Sequence, residues 1–205
     1  MMHTRAVLLA GLLTAAAALA GCTTTAGGDP TPDNDATKHP SSTPPSSEQD
    51  RHGAPRVDRP LAPTRFLTEP CATLTQAQLA GLGIDTAGKP DTDSAIAEYA
   101  GPTCGWQDNG ETLGVGFVTG NKNGLADLYG NRENYAYFEE TMVNGFPAVF
   151  QDNIDLRDSG TCSISVGVTD NLHFKASEQG ELDAQGACDR IKNVAGAVIT
   201  TMKGA

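Results

Sequence analysis

An α+β domain, an antiparallel sheet with helices packed on one face and stapled by two disulfides, is the fold class this sequence predicts. Three observations predict it. Stretches of period-two alternation flank Asn-Gly dipeptides at Asn109-Gly110 and Asn144-Gly145, the signature of tight turns between antiparallel strands. Two capped helical patterns bracket those stretches, one opening at Thr75 and one at Asp183. Four cysteines, Cys71, Cys104, Cys162 and Cys188, fall in the same region, an even number suited to a disulfide framework.

The elements follow in order. Thr75 caps a short helix in which Leu74 staples onto Leu79 and Gly83 closes the last turn. Cys104 to Gln107 and Leu113 to Val118 read as two strands, the second placing Leu113, Val115 and Phe117 on one face. Leu125, Leu128, Tyr129 and Arg132 have helical spacing, with Asn123 as the cap. Phe138 to Val143 and Phe146 to Gln151 form the next hairpin, where Pro147 points to an edge strand or a bulge. After a polar loop from Asp152 to Gly160, Cys162, Ile164, Val166 and Val168 alternate with Ser163, Ser165 and Gly167. That strand turns at Thr169-Asp170-Asn171 into Leu172 to Ala176. Asp183 then caps a final helix with Ala184, Cys188, Ile191, Ala195, Val198 and Met202 on one side.

Upstream of the domain the chain divides differently. Arg5, the apolar run Ala6 to Leu19 and the small residues Ala20-Gly21 compose a signal peptide over residues 1–21, ending in Leu19-Ala20-Gly21-Cys22. A cysteine directly behind such a segment is the expected lipidation site. The run is shorter than the roughly 20 residues that cross a bilayer. With acyl chains on Cys22, each buried methylene contributing about 0.8 kcal/mol, the protein is expected on the extracytoplasmic face of the cell membrane. Residues 22–63 are rich in Thr, Ser, Pro and Asp and read as a disordered tether with a span on the order of 35 Å. Lys38, His39, Arg51, His52, Arg56 and Arg59 are read as solvated linker charges rather than a lipid or metal strip. Residues 64–205 then form one extracytoplasmic domain.

With Cys22 set aside, the four remaining cysteines allow three connectivities. Cys71–Cys104 and Cys162–Cys188 are favoured, because each pair joins elements expected to touch, and each bridge contributes about 3–4 kcal/mol in the chain-entropy model. Zinc and redox sites favour Cys-x-x-Cys, which this sequence lacks. A formal net charge of −11 excludes a basic nucleic-acid footprint and suits a soluble monomer.

Pro70-Cys71-Ala72-Thr73-Leu74-Thr75, Cys104-Gly105-Trp106, Asn144-Gly145-Phe146-Pro147-Ala148-Val149, the strand led by Cys162, and Cys188 with Ala195 together resemble the actinobacterial DUF3558 lipoproteins. The resemblance implies a secreted, lipid-anchored, cysteine-bridged domain without an assigned activity. No catalytic residue comes with it.

Catalytic candidates are few. His173 is the domain's one histidine and reads as a surface residue on a strand, near Ser163 and Ser165, neither of which sits in a Gly-x-Ser-x-Gly elbow. Glu139 and Glu140 are adjacent on a strand and point to opposite faces. Gly114 to Gly120 misses the dinucleotide fingerprint, and its glycines are expected to leave room for something packed across the sheet. In Asp152 to Asp158, Ile154 and Leu156 stand where a calcium loop needs oxygen. Tyr129, Tyr135, Tyr137, Phe138, Phe146 and Phe150 form the densest aromatic stretch, read first as core and second as a ligand or partner site. No catalytic residue, cofactor or metal is expected. The expected function is a noncatalytic binding module for an envelope protein, glycan or lipid, with a carrier of an apolar ligand second and an envelope hydrolase third.

Overall fold

The computed structural model describes residues 51–180 and 182–205. Cys22 and residues 23–50 of the expected tether lie outside the described residues. Seven strands form one antiparallel sheet: β1 (Lys89–Asp91), β2 (Thr103–Asp108), β3 (Glu111–Phe117), β4 (Tyr137–Val143), β5 (Phe146–Asp152), β6 (Thr161–Thr169) and β7 (Leu172–Gln179). Their order across the sheet is β1-β2-β3-β7-β6-β5-β4, two meanders joined where β7 returns beside β3.

Both Asn-Gly turns form as their chemistry dictates. Asn109 and Gly110 have φ of 47° and 87°, and Asn144 and Gly145 have 50° and 85°, the left-handed pair that matches strand twist. The β5–β6 ladder covers only Ala148 to Phe150. Pro147 has no N–H to extend it, and the Val168 carbonyl accepts from the Leu61 N–H instead, at 2.9 Å.

Among the described residues five helices accompany the sheet: α1 (Thr64–Thr68), α2 (Gln76–Gly81), α3 (Ala95–Ala100), α4 (Leu125–Gly130) and α5 (Ala184–Lys203). Thr75 and Gln78 build a reciprocal capping box on α2, and Asp183 accepts from the Gly186 N–H at the start of α5. α5 lays Ile191, Val194, Ala195, Val198 and Ile199 on the sheet face formed by Val115, Ile164, Val166 and Phe174, a cluster that also takes in Phe66 and Leu79 from α1 and α2. Cys162–Cys188 ties α5 to β6, and Cys71–Cys104 ties the short 3-10 turn Pro70–Thr73 to β2.

Two expectations change. α4 packs against the opposite face, where Leu125, Ala126, Leu128 and Tyr129 cluster with Val149 and Ala54, so helices cover both faces rather than one. The connection from β3 to β4 must cross β7, β6 and β5, and α4 lies within that crossing. Its cap is Gly124, with φ of 57°, and Asn123 instead donates its side-chain amide to Asp127. A Cβ at residue 124 would come within 2.8 Å of the Asp170 carbonyl, so the position is reserved for glycine.

Residues 51–63 are not free tether. Arg51, Ala54 and Val57 are buried. The Arg51 guanidinium donates to the Ala54 and Pro55 carbonyls and lies 3.5 Å from Asp170. Asp170 also accepts from Arg56 and from the Val57 N–H, both at 3.0 Å. The described domain therefore reaches upstream of residue 64, through contacts to a turn more than a hundred residues away.

Candidate functional site

α4 and the segment 51–57 cover only part of their face of the sheet. Beyond them β2, β3 and β7 present Thr103, Gly105, Thr112, Gly114, Lys175 and Ser177 to an open trough. Two adjoining depressions, of about 410 and 350 Å³, share Thr112, Lys175 and Ser177 and together make up this trough. Ser163 and Thr161 of β6 extend the floor, and Ala100 and Gly101 at the end of α3 close the far end.

Glycine makes the floor low. A Cβ at Gly105 would meet nothing within 4 Å, and one at Gly114 would approach only the Ser177 hydroxyl, at 3.2 Å. Gly116 differs, because its Cβ would lie 2.6 Å from Thr103 Cγ2, and there the absent side chain serves local packing. The glycine-bearing strand thus borders open space rather than a packed layer or an enclosed cavity.

One wall is the loop after β5, which holds Ile154 67% and Leu156 46% exposed. Arg157 fixes this loop. Its guanidinium bonds both Asp155 carboxylate oxygens, at 2.9 and 2.7 Å, and Glu139 Oε1 at 2.7 Å, and stacks 4.1 Å from the Tyr137 ring centre. The clamp holds the Asp155 carboxyl below the usual carboxylate range and raises the guanidinium. Burial pushes the Tyr137 phenol up to about 12, against a hydrogen bond with the Ser163 backbone. Lys175 pairs with Asp152 at 3.2 Å, so both carry their charges locally neutralised.

His173 is not the expected surface residue. It is 1% exposed, opposite Gly167 rather than Ser163 or Ser165, because α4 and its leading loop cover that part of β7. Burial lowers its pKa to about 4, opposed by a hydrogen bond with the Gly124 backbone, and Nδ1 has no hydrogen-bond partner. At neutral pH it is an uncharged core residue. Ser165, also buried, accepts from Gln151 Nε2 at 2.9 Å, and Ser163, 2% exposed, lies beneath the trough.

The other candidates separate. Glu139 faces Arg157, while Glu140 lies beside Tyr129. Asp152 and Asp155 are engaged by Lys175 and Arg157, and among the described residues no group of three or more His, Cys, Asp or Glu side chains is placed to hold a metal ion. The aromatic stretch splits between the two faces. Tyr129 meets Phe138 edge-on at 5.0 Å and Tyr135 stacks on Phe138 at 5.9 Å beneath α4, whereas Phe146 and Phe150 pack with the α5 cluster.

Sequence reasoning missed one charged group of consequence. Glu178 is 3% exposed on the α5 face, 3.3 Å from Arg190, which also binds Glu111 at 2.6 Å. The Glu178–Arg190 contact lacks hydrogen-bond geometry, so both carboxylate oxygens are unsatisfied. Desolvation pushes the Glu178 carboxyl up to about 7 against the pull of Arg190. The alternation of β7 marks residue 178 as core-facing, the signal by which it is readable.

A family model described as "Protein of unknown function (DUF3558)" matches residues 17–201. No curated protein and no solved structure matches the chain.

Proposed function

The chain belongs to the DUF3558 family, and from that premise we propose that it is an envelope lipoprotein whose domain binds a ligand in the open trough without transforming it. Acyl chains on Cys22 hold it to the extracytoplasmic face of an actinobacterial membrane in this reading. The segment Leu19-Ala20-Gly21-Cys22 supports the anchor, and the two disulfides suit an oxidising compartment. Among the described residues no helix is long and apolar enough to cross a membrane.

The trough is the observation that carries the binding role. Exposed Ile154 and Leu156 stand on a loop tied down by the Arg157 clamp, beside a depression lined by hydroxyl side chains, and the glycine floor of Gly105 and Gly114 lies in the adjoining depression. Exposed apolar groups on a fixed wall are what a binding surface requires, because little ordering entropy remains to be lost. Enclosure, which a carrier of an apolar ligand needs, is missing from this open trough. A hydrolase would need His173 to meet a nucleophile and solvent, and it is covered instead.

Two variants test the reading. Cys22→Ala is expected to leave the membrane fraction or accumulate as uncleaved precursor. Identical partitioning with the same acylated N-terminal mass would remove the anchor. Gly105→Leu, expressed at parental surface abundance in a deletion strain, is expected to lose the cellular role, and full complementation would remove the trough from consideration.

A further inference from the structure

We propose that the trough holds a neutral saccharide chain, a refinement that rests on the binding-module reading above. Charge narrows the ligand first. Lys175 is matched by Asp152, and Arg157 by Asp155 and Glu139, which leaves the lining to hydroxyls and amides. Glu178 borders the trough but directs its carboxylate to Arg190 on the other face of the sheet. A polyanion meets a chain of net charge −11 with no compensating patch in the trough, and a polycation finds its carboxylates already paired.

Shape and hydrogen-bonding capacity narrow it further. The two depressions adjoin and share Thr112, Lys175 and Ser177, so a ligand that occupies both is linear. At Gly105 and Gly114 the floor is backbone, low enough for a pyranose ring to lie with its C–H face down. Its edge hydroxyls then meet Thr112 and Ser177, each of which both donates and accepts. An acyl chain would leave those hydroxyls unpaired and half its own surface in water. A peptide adding as a strand needs a free sheet edge, whereas β3 and β7 are paired on both sides. A saccharide uses what the trough offers: a low floor of glycine backbone and neutral hydroxyls beside an apolar wall.

The test titrates the full-length protein with maltohexaose, cellohexaose and chitohexaose by calorimetry and by amide chemical shifts. At least one should bind with a Kd of about 1 mM or tighter, shifting Thr112 and Ser177. Gly105→Leu should weaken that binding by at least about tenfold. A Cβ there meets nothing within 4 Å, so folding is retained, and Ser177→Ala supplies a second, smaller loss. Failure of all three sugars to bind overturns the saccharide assignment, as does binding unchanged in Gly105→Leu. Binding of a neutral peptide or a dodecyl chain in their place also overturns it. If no sugar binds yet Gly105→Leu abolishes the cellular role, the ligand class is wrong and the trough remains the site. If no sugar binds and Gly105→Leu complements fully, both readings fall.

Discussion

Replacing Gly105 by Val should stabilise the domain, an unusual sign for a substitution in the middle of a sheet. Gly105 occupies the interior of β2, pairs with Lys89 on one side and Gly114 on the other, and faces the trough. A Cβ built there has no neighbour within 4 Å, and the residue lacks the positive φ that would exclude a side chain. Glycine in a strand costs about 0.5–1 kcal/mol relative to alanine through lost backbone entropy, and strand preference adds part of a scale spanning about 1 kcal/mol in favour of valine. The net expectation is a gain of about 1 kcal/mol, or a Tm rise of about 2–4 °C for a domain of this size. Thermal unfolding followed by circular dichroism reads it directly. Gly88→Ala provides the opposite control, since its Cβ would lie 2.5 Å from Cys104 Sγ and 2.7 Å from Trp106 Nε1, an overpacking worth about 1–3 kcal/mol. A loss of about 1 kcal/mol or more in Gly105→Val would mean that the trough floor is packed, and the site would have to be abandoned.

Two further predictions follow from buried charge. His173, with its pKa lowered to about 4 from 6.5, stays neutral when folded while the unfolded chain binds a proton, so its contribution to stability grows as pH rises from about 4 to 6.5. Glu178, raised to about 7 from 4.5, holds a proton when folded that the unfolded chain releases, so its contribution falls as pH rises from about 4.5 to 7. Urea denaturation across pH 4 to 8 should show the rising slope unmasked in Glu178→Gln and the falling slope in His173→Gln, and a parental profile in both would refute the assignment. Asp170→Ala should cost about 1–2 kcal/mol, because it removes the acceptor of the Val57 N–H and the anion beside Arg51 and Arg56. It should also open residues 51–63 to limited proteolysis, whereas in the parent a protected fragment should begin near residue 51; one beginning at residue 64 in both proteins would refute the packing of that segment.

What the sequence revealed about the fold depended on local chemistry. The two Asn-Gly turns, the alternation of Cys162 to Val168, the Thr75 box and the Asp183 cap each act within a few residues, and each appears where its neighbours place it. Both bridges were legible because each joins parts of one half of the chain, at separations of 33 and 26 residues. β1 and α3 were not. Lys89-Pro90-Asp91 is too short to show alternation, and α3 leaves Ile96 and Tyr99 exposed, 74% and 85%, so it has no apolar stripe toward the core. The face chosen by α4 was hidden because topology decides it. Burial of Arg51 was hidden as well, since its anion is supplied by a turn far along the chain, and a Pro-rich polar stretch reads as linker until that turn is in place.

The candidate site resisted sequence reading for a different reason. Histidines, paired acids and nucleophile elbows are the letters that signal chemistry, and here they are His173, Glu139, Glu140 and Ser165, which serve the core, a surface ion pair or the Tyr129 phenol instead. The trough is built from residues without individual signatures: two glycines, a few hydroxyls and an apolar wall. Even the glycines are ambiguous as letters. Gly116 makes room for Thr103, Gly88 for Trp106 and the Cys104 sulfur, and Gly105 for nothing within 4 Å. The first two keep glycine because any side chain would collide. At Gly105 neither collision nor φ forbids a side chain, and strand stability favours one. Glycine at that position therefore reads as a cost to the fold, and the open floor it leaves is the most direct sign that the trough is kept clear for a ligand.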